Sequence, residues 1–247
     1  MSTITRPRSS PPVTPALKPP RGLVPGEQRI VIRGVGWHVY ETLVDSVREG
    51  SNVHVAYDGK DLEIMTTGYL HEDYKVLFGR LMSAVTFELD IQCLEAGETT
   101  WKRPGIARGL EADQCYFFAP AKLAAVAKSR ARKSNDVADY PNPDLAIEID
   151  ISPSQIDRPG IYAALQVTEL WRFDDETVVI EQLGPDGSYA AIESSRFVSI
   201  RPDEVVRWIV VEDSVDRNAW ERRLRAWIRA ELAGRRAGPP KRTRRKP

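Results

Sequence analysis

The sequence predicts a mixed α/β or α+β domain, and three observations support this. Alternating apolar residues indicate short strands through the middle of the chain, whereas apolar residues three and four positions apart indicate helices towards both ends. The chain has 247 residues, enough for one domain with additional elements. Its 42% hydrophobic and 28% charged residues are ordinary for a globular protein, and no apolar run approaches the roughly 20 residues that span a bilayer.

The first half of the chain alternates between the two periodicities. An Asp58-Gly59 turn joins two alternating runs, and helical spacing precedes and follows this hairpin. The predicted elements, in order, are a helix at 36–50, a hairpin at 52–66, a helix at 69–89, strands at 91–95, 98–102 and 113–118, and a helix at 120–133.

The segment 142–154, NPDLAIEIDISPS, predicts a strand with an unusual distribution of acids. Leucine and isoleucine side chains share one face, and the other face carries Asp144, Glu148 and Asp150. Such a row of acids is either bathed in water or holds a positive charge. Because Glu148 lies between two isoleucines in the most apolar strand of the chain, we favour the second explanation for Glu148.

The second half of the chain is predicted to return to helices at its end. Within 152–165 a helix is predicted that is either interrupted or starts late, because Pro159 and Gly160 are tolerated only in its first turn. The remaining predicted elements are strands at 168–173, 177–183 and 187–192 and helices at 203–211 and 216–232. In the last helix, Trp220, Leu224, Trp227 and Ile228 form one stripe, which is typical of core packing or of a homodimer face.

Charge is distributed unevenly along the chain. Residues 1–25 hold four basic residues and residues 234–247 hold seven, neither with any acid, so residues 26–233 carry a net charge of −11. We therefore predict two disordered tails, at 1–25 and 234–247, around a folded domain at 26–213 and an amphipathic helix at 214–233. An acidic body does not indicate a general DNA-binding surface, although a basic tail adds nonspecific affinity for polyphosphate.

The termini and the cysteines predict a cytoplasmic protein with no membrane partner. The first 22 residues lack the apolar stretch of a secretory signal. Cys93 and Cys115 lie in apolar, strand-like contexts, which favours free thiols in a reducing compartment.

The acids of the 142–154 strand are not equally suited to share one cation. A strand rises about 3.3 Å per residue, so the Cα atoms of Asp144 and Glu148 lie about 13 Å apart, and those of Glu148 and Asp150 about 6.6 Å apart. Because ligand bonds to a divalent ion are only about 2.1–2.6 Å long, Glu148 and Asp150 can share an ion and Asp144 is the weakest candidate.

A metal site on this strand needs ligands from other segments. Asp113 opens the apolar run Cys115 to Phe118, Glu63 alternates with apolar residues in the hairpin, and His71 starts the long helix. The competing interpretations are a turn cap for Asp113, an exposed hairpin position for Glu63 and a structural histidine at 71. No phosphate-binding loop, dinucleotide fingerprint, serine nucleophile elbow or C-x-x-C pair competes with this acidic site.

Five segments of the chain match a known pattern in order and spacing: LEIM with a following histidine (62–71), TTW (99–101), GLEADQCYFF (109–118), PDLAIEIDIS (143–152) and IYAALQVTELWRF (161–173). Together they resemble the Uma-type restriction endonuclease family of the PD-(D/E)XK nuclease superfamily. The resemblance runs from about Gln28 to Trp208. It implies a restriction-endonuclease-like core, in which a mixed central sheet of four or five strands is flanked by helices.

The resemblance also implies a function and a set of site residues. A metal-dependent endonuclease of this type binds Mg²⁺, or Mn²⁺, through carboxylates, and the ion activates water for attack on a DNA phosphodiester. The resemblance would make Glu63, Asp113 and Glu148 metal ligands, and the strand spacing adds Asp150. The catalytic residues would be Asp113, Glu148, His71 and Arg158. A homodimer is possible, because many nucleases pair two active sites to cut both strands.

The chain departs from the superfamily pattern at one cation. Asp150 stands at the usual lysine position, and Arg158, four residues before Tyr162, occupies the place where many family members carry a lysine on the following helix. Arginine can clamp a phosphate but cannot transfer a proton. Lys102, which follows the TTW segment, is a further candidate for the catalytic cation. A catalytically inactive interaction or regulatory protein on the same fold, and a nuclease of RNA or small nucleotides, therefore remain alternatives.

Overall fold

The computed structural model describes residues 27–47, 52–210 and 215–235. The predicted tail at 1–25 and most of the tail at 234–247 lie outside these residues. None of the described helices is long and apolar enough to cross a membrane. The mixed α and β class predicted from the sequence is confirmed, with the strands divided between two sheets.

The described residues form eleven strands and six α-helices. The strands are β1 Gln28–Ile32, β2 Val53–Tyr57, β3 Leu62–Thr66, β4 Leu94–Glu95, β5 Thr99–Arg103, β6 Arg108–Ala112, β7 Gln114–Phe117, β8 Leu145–Ile149, β9 Glu169–Phe173, β10 Val178–Leu183 and β11 Tyr189–Ala191. The helices are α1 Trp37–Ser46, α2 Tyr69–Glu88, α3 Pro120–Ala131, α4 Arg158–Ala164, α5 Pro202–Ile209 and α6 Arg217–Trp227, and a π-helical turn at Ile228–Leu232 continues α6.

Apart from β4, which joins the second sheet, the strands up to β6 form the first sheet and the strands from β7 onwards form the second. The first sheet is antiparallel, in the order β1-β3-β2-β6-β5, and the second has the order β11-β10-β9-β8-β7-β4. In the second sheet β8 pairs antiparallel with β7 and parallel with β9, so β8 is an interior strand. Asp113 is the single residue between β6 of the first sheet and β7 of the second. The register therefore places Asp113 at the junction of the sheets.

Apolar clusters fill the spaces between these layers. One cluster combines the outer face of the second sheet with α2, α5 and α6. Another combines both sheets with α4, and a third packs α1 against the first sheet. Leu145, Ile147 and Ile149 face the helices, whereas Ala146 faces the space between the sheets. Because strand side chains alternate, Glu148 points into that inner space.

The sequence patterns did not indicate β1 or β6. In β1 the apolar Ile30 and Ile32 are exposed along with Gln28, while the side chain of Arg29 is almost wholly buried. In β6 a glycine interrupts the pattern, and Gly109 is needed because a Cβ there would lie 2.3 Å from the Tyr40 hydroxyl. Tertiary contacts therefore override the local alternation in both strands.

The apolar stripe of the last helix belongs to the core of the chain itself. Trp220, Leu224 and Ile228 are fully buried, and the Trp220 indole donates a hydrogen bond of 2.9 Å to the Trp208 carbonyl. Most of the stripe therefore packs inside the chain, and Trp227 is its one partly exposed member.

Asp144 stabilises the start of α3, which accounts for this acid without a metal. One of its carboxylate oxygens accepts hydrogen bonds of 2.7 Å from the amides of Phe118 and Ala119, just ahead of the helix. The other oxygen lies 2.8 Å from the Lys122 ammonium. These contacts agree with the prediction from strand geometry that Asp144 is the weakest candidate ligand.

We expect Asp144→Ala to lower the free energy of unfolding by roughly 2–4 kcal/mol, because two buried amides and one ammonium lose a charged acceptor. Urea unfolding measures this loss. Asp144→Asn keeps an acceptor oxygen and should lose less. A fully stable Asp144→Ala protein would contradict the capping role.

Candidate active site

Glu148 is the most deeply enclosed of the predicted acids. Every residue of β8 is buried, and Glu148 is only 2% exposed. One Glu148 carboxylate oxygen accepts a hydrogen bond from the Tyr162 hydroxyl, and the other contacts the Arg158 guanidinium. The acid therefore does hold a positive charge, and that charge comes from the protein itself.

Local sequence at the start of α4 places both partners of Glu148. The Asp157 side chain accepts a hydrogen bond of 2.9 Å from the Gly160 amide, and Pro159 lies in the first turn, so the helix begins at Arg158. This late start agrees with the sequence prediction. Arg158 and Tyr162 are four residues apart and thus project from one face of the helix towards β8.

His71 connects Asp113 to a second acid, Glu27. Its Nε2 lies 2.9 Å from Asp113 Oδ1, and its Nδ1 lies 3.6 Å from Glu27 Oε1. The other oxygen of Asp113 accepts a hydrogen bond of 2.7 Å from the amide of Ile149, the residue after Glu148. Asp113 is thereby fixed next to the end of β8.

The pKa of each member of this cluster follows from burial and charge. Burial disfavours the imidazolium, but Asp113 and Glu27 outweigh it and raise the pKa of His71 to about 10. Burial likewise opposes ionisation of Asp113, yet His71 lowers the pKa of Asp113 below its ordinary value. A protonated His71 between two carboxylates is therefore the stable state at neutral pH.

Glu63 is also buried, at 1% exposure, and is not the exposed hairpin residue of the competing interpretation. Its Oε1 lies 2.8 Å from an Arg29 nitrogen and 2.9 Å from the Ser154 hydroxyl, and its Oε2 accepts a hydrogen bond of 2.8 Å from the Gln155 amide. Arg158 approaches Oε1 to only 3.8 Å. Glu63 thus ties the first sheet to the loop ahead of α4.

Asp150 has the least complete set of partners among the predicted acids. Its Oδ1 is buried and, within the described residues, accepts no hydrogen bond. Burial raises the pKa of Asp150, and Arg158 and Arg29 oppose this rise. Burial also raises the pKa of Glu148, while Arg158 favours the ionised form of that carboxyl. Arg158 is therefore the main cation of this acidic region.

The structure thus brings together most of the residues that the sequence singled out. Glu63 and Glu148 both lie against Arg158, while Asp113 and His71 form a pair linked to β8 through the Ile149 amide. Lys102 lies elsewhere, because its ammonium pairs with Asp45 of α1 at 2.7 Å.

Sequence reasoning missed some residues that hold the acids in place. Glu27 and Arg29 belong to the edge strand or its approach, where the apolar pattern gave no strand, and Tyr162 was used only to locate Arg158. His54, which was assigned no role, lies 3.0 Å from Glu111. The four-residue spacing of Arg158 and Tyr162 was a usable signal for their shared target.

The acids fit a divalent cation by chemistry, but they do not surround one point. Carboxylate oxygens are the ligands that Mg²⁺ and Mn²⁺ prefer, and the orphaned Oδ1 of Asp150 is an available acceptor. In the described parts of the chain, however, no three His, Cys, Asp or Glu residues are grouped as a metal site. Each oxygen of Glu148 already has one partner, Tyr162 or Arg158, and the Arg158 charge competes with a metal ion for this carboxylate.

The two-sheet fold, with acids buried where the sheets meet, places the protein in the class of mixed α+β, restriction-endonuclease-like proteins. The model of the Uma2 family, described as "Putative restriction endonuclease", matches residues 37–212, about seven tenths of the chain. The chain therefore belongs to the Uma2 family, and the resemblance stated from the sequence is confirmed. The comparison with curated proteins gives no match.

We expect the stabilising effect of His71 to depend on pH. Its pKa rises from 6.5 to about 10 on folding, so its contribution is complete below pH 6.5 and is lost as the pH rises through 10. The difference in unfolding free energy between the wild type and His71→Gln, measured with urea, should be largest near about pH 6 and shrink towards about pH 10. A constant difference would contradict a charged His71.

Proposed function

We propose that the protein is an endonuclease that hydrolyses DNA phosphodiester bonds with a bound Mg²⁺ or Mn²⁺ ion. The observation that supports this most directly is that three separate segments each place a buried acid in the region around Arg158 and the end of β8. Glu63 and Glu148 lie against one guanidinium, and Asp113 is held beside Glu148 by the Ile149 amide. Buried acids are costly in a fold unless they are paired or bind a cation. Membership of a restriction endonuclease family supports the same class of reaction.

Each residue of the centre has a proposed role. Asp113 and Glu148 would hold the ion, and Asp150 and Glu63 would supply further oxygens. When bound, such an ion polarises a phosphoryl oxygen and lowers the pKa of its water. His71 keeps Asp113 ionised and oriented, since it donates to one of the two Asp113 oxygens. Arg158 would bind the phosphate that is attacked, because its planar guanidinium matches phosphate geometry.

Glu148→Ala tests this assignment. We expect wild-type protein to nick or linearise supercoiled plasmid only with Mg²⁺ or Mn²⁺, and the variant to lose at least about 100-fold in rate, more than is usual for residues outside the first ligand shell. Gel electrophoresis with and without EDTA measures the rate. Glu193→Ala, which removes an exposed acid, is the matched control and should cleave like the wild type.

Cleavage that persists in Glu148→Ala would contradict the site. Absence of cleavage by the wild type with either metal would favour the second candidate function, a non-catalytic interaction or regulatory protein. The observation that favours this alternative is that the Tyr162 hydroxyl and the Arg158 guanidinium already occupy both oxygens of Glu148. Preferential cleavage of RNA would change the proposed substrate but not the reaction.

Binding to DNA also needs a positively charged surface, although residues 26–233 together carry a net charge of −11. The end of α3 and the residues after it supply exposed cations, none of which forms an ion pair with another described residue: Lys128, Arg130, Arg132 and Lys133. Cations of this kind contact phosphates without sequence preference. We propose that this basic segment contributes to DNA affinity.

Replacing all four cations with alanine should weaken binding to a duplex at low salt. Because each lost phosphate contact lowers the slope of log affinity against log salt concentration by about 0.9, the variant should also be less sensitive to salt. Fluorescence anisotropy between 50 and 200 mM salt, roughly the range over which such contacts are screened, measures both quantities. An unchanged slope would show that DNA binds elsewhere.

Cytoplasmic location and a homodimer belong to the proposal as well. The free thiols of Cys93 and Cys115 support a reducing compartment. A dimer would have to use a surface other than the buried residues of the α6 stripe.

A further inference from the structure

A metal ion that binds at this centre meets a Glu148 carboxylate that already has a positively charged partner. Glu148 is buried, and Arg158 is its only ion-pair partner among the described residues. Glu63 does not depend on Arg158 in this way, because Arg29, Ser154 and Gln155 already hold its oxygens. The Arg158 charge is thus needed at Glu148 and dispensable at Glu63.

Arg158 itself is incompletely bound. The residue is 4% exposed, yet its Nε has no hydrogen-bond partner in the described structure. One terminal nitrogen is 3.8 Å from Glu63 Oε1, beyond hydrogen-bond distance, and the contact of the other with the Glu111 carbonyl is long, at 3.4 Å. A buried guanidinium with an orphaned donor calls for a further acceptor. A phosphodiester oxygen meets this need, since arginine binds phosphate with two parallel hydrogen bonds.

Moving Arg158 away from Glu148 has a cost that a metal ion can remove. A buried carboxylate that loses its partner is strongly destabilised, so Glu148 resists the departure of the guanidinium. A divalent ion at Glu148 replaces the missing charge. Conversely, a phosphate that binds Arg158 releases Glu148 for the ion. Each ligand therefore favours the binding of the other, and by thermodynamic linkage the two effects are equal.

We propose that Arg158 is an exchangeable cation, which holds Glu148 in the free protein and transfers to the phosphodiester when substrate and metal bind together. The proposal rests on the proposed nuclease function, and it makes metal loading dependent on nucleic acid. The free protein then holds its acids neutralised and binds divalent ions weakly. The guanidinium neutralises Glu148 in the free protein and binds the phosphate when substrate and metal are bound.

The test measures metal affinity rather than cleavage. Mn²⁺ is titrated into the full chain and followed by electron paramagnetic resonance, alone and with a saturating short DNA duplex whose integrity is checked on a gel. For wild-type protein we expect the duplex to tighten Mn²⁺ binding at least about fivefold, within the range typical of coupled sites. Mn²⁺ should tighten duplex binding by the same factor.

Variants at Arg158 identify the coupling residue. Arg158→Gln should bind Mn²⁺ alone more tightly than the wild type does and should show no further gain from the duplex. If this variant does not fold, Arg158→Lys, which keeps a charge but not the two-pronged contact, should retain only part of the coupling. Arg80→Gln removes a remote arginine–glutamate pair and should behave like the wild type.

Three outcomes would overturn the proposal. They are equal Mn²⁺ affinity of the wild type with and without duplex, undiminished coupling in the Arg158 variants, and no Mn²⁺ binding by any protein in either condition. The first two are compatible with metal-dependent plasmid cleavage, so they would remove the exchange mechanism and leave the proposed nuclease function standing. Intact coupling without plasmid cleavage would leave the exchange mechanism standing and remove the proposed nuclease function.

Discussion

The buried ion pair between Glu148 and Arg158 is the constraint on which the centre of this protein depends. Glu148 lies on the inner face of an interior strand, where water cannot neutralise it, so a cation must be delivered there by another element. Helix α4 delivers it because Asp157 and Pro159 fix the start of the helix at Arg158. Removing either partner alone leaves a buried charge, which typically costs about 3–5 kcal/mol. The need to neutralise the buried Glu148 carboxylate therefore fixes the position of α4.

The remaining acids are neutralised by separate cations, and this division shapes the centre. His71 serves Asp113 and Glu27, whereas Arg29 serves Glu63. These pairs join β1, β3 and α2 to the junction at which the chain passes from the first sheet to the second. Ionic contacts therefore hold together the region where apolar packing between the sheets gives way to charged residues. Asp150 and Glu27 each keep one buried oxygen without a hydrogen-bond partner among the described residues.

Family membership and local geometry bear on different questions. Membership of the Uma2 family establishes the fold and the class of protein, but activity depends on the individual site. A centre whose carboxylates are already paired is compatible with a non-catalytic interaction or regulatory protein. It is equally compatible with an enzyme whose metal site forms only when substrate binds. The distinction depends on the freedom of one guanidinium, because Arg158 is the cation paired with Glu148, the acid proposed to bind metal.

The sequence by itself determined the periodic elements, the class and the principal acids. The hairpin, the long helix α2, the strand β8 and the late start of α4 all follow from local periodicity or from proline chemistry, and strand rise alone argued against Asp144 as a ligand. Local patterns did not indicate β1 and β6. In β1 the Arg29 side chain is buried in an ion pair with Glu63, which is distant in sequence, and in β6 the close approach of the Tyr40 hydroxyl leaves no room for a side chain at Gly109. Only the tertiary structure decided that Glu148 meets Arg158, since burial and long-range pairing depend on how the two sheets pack.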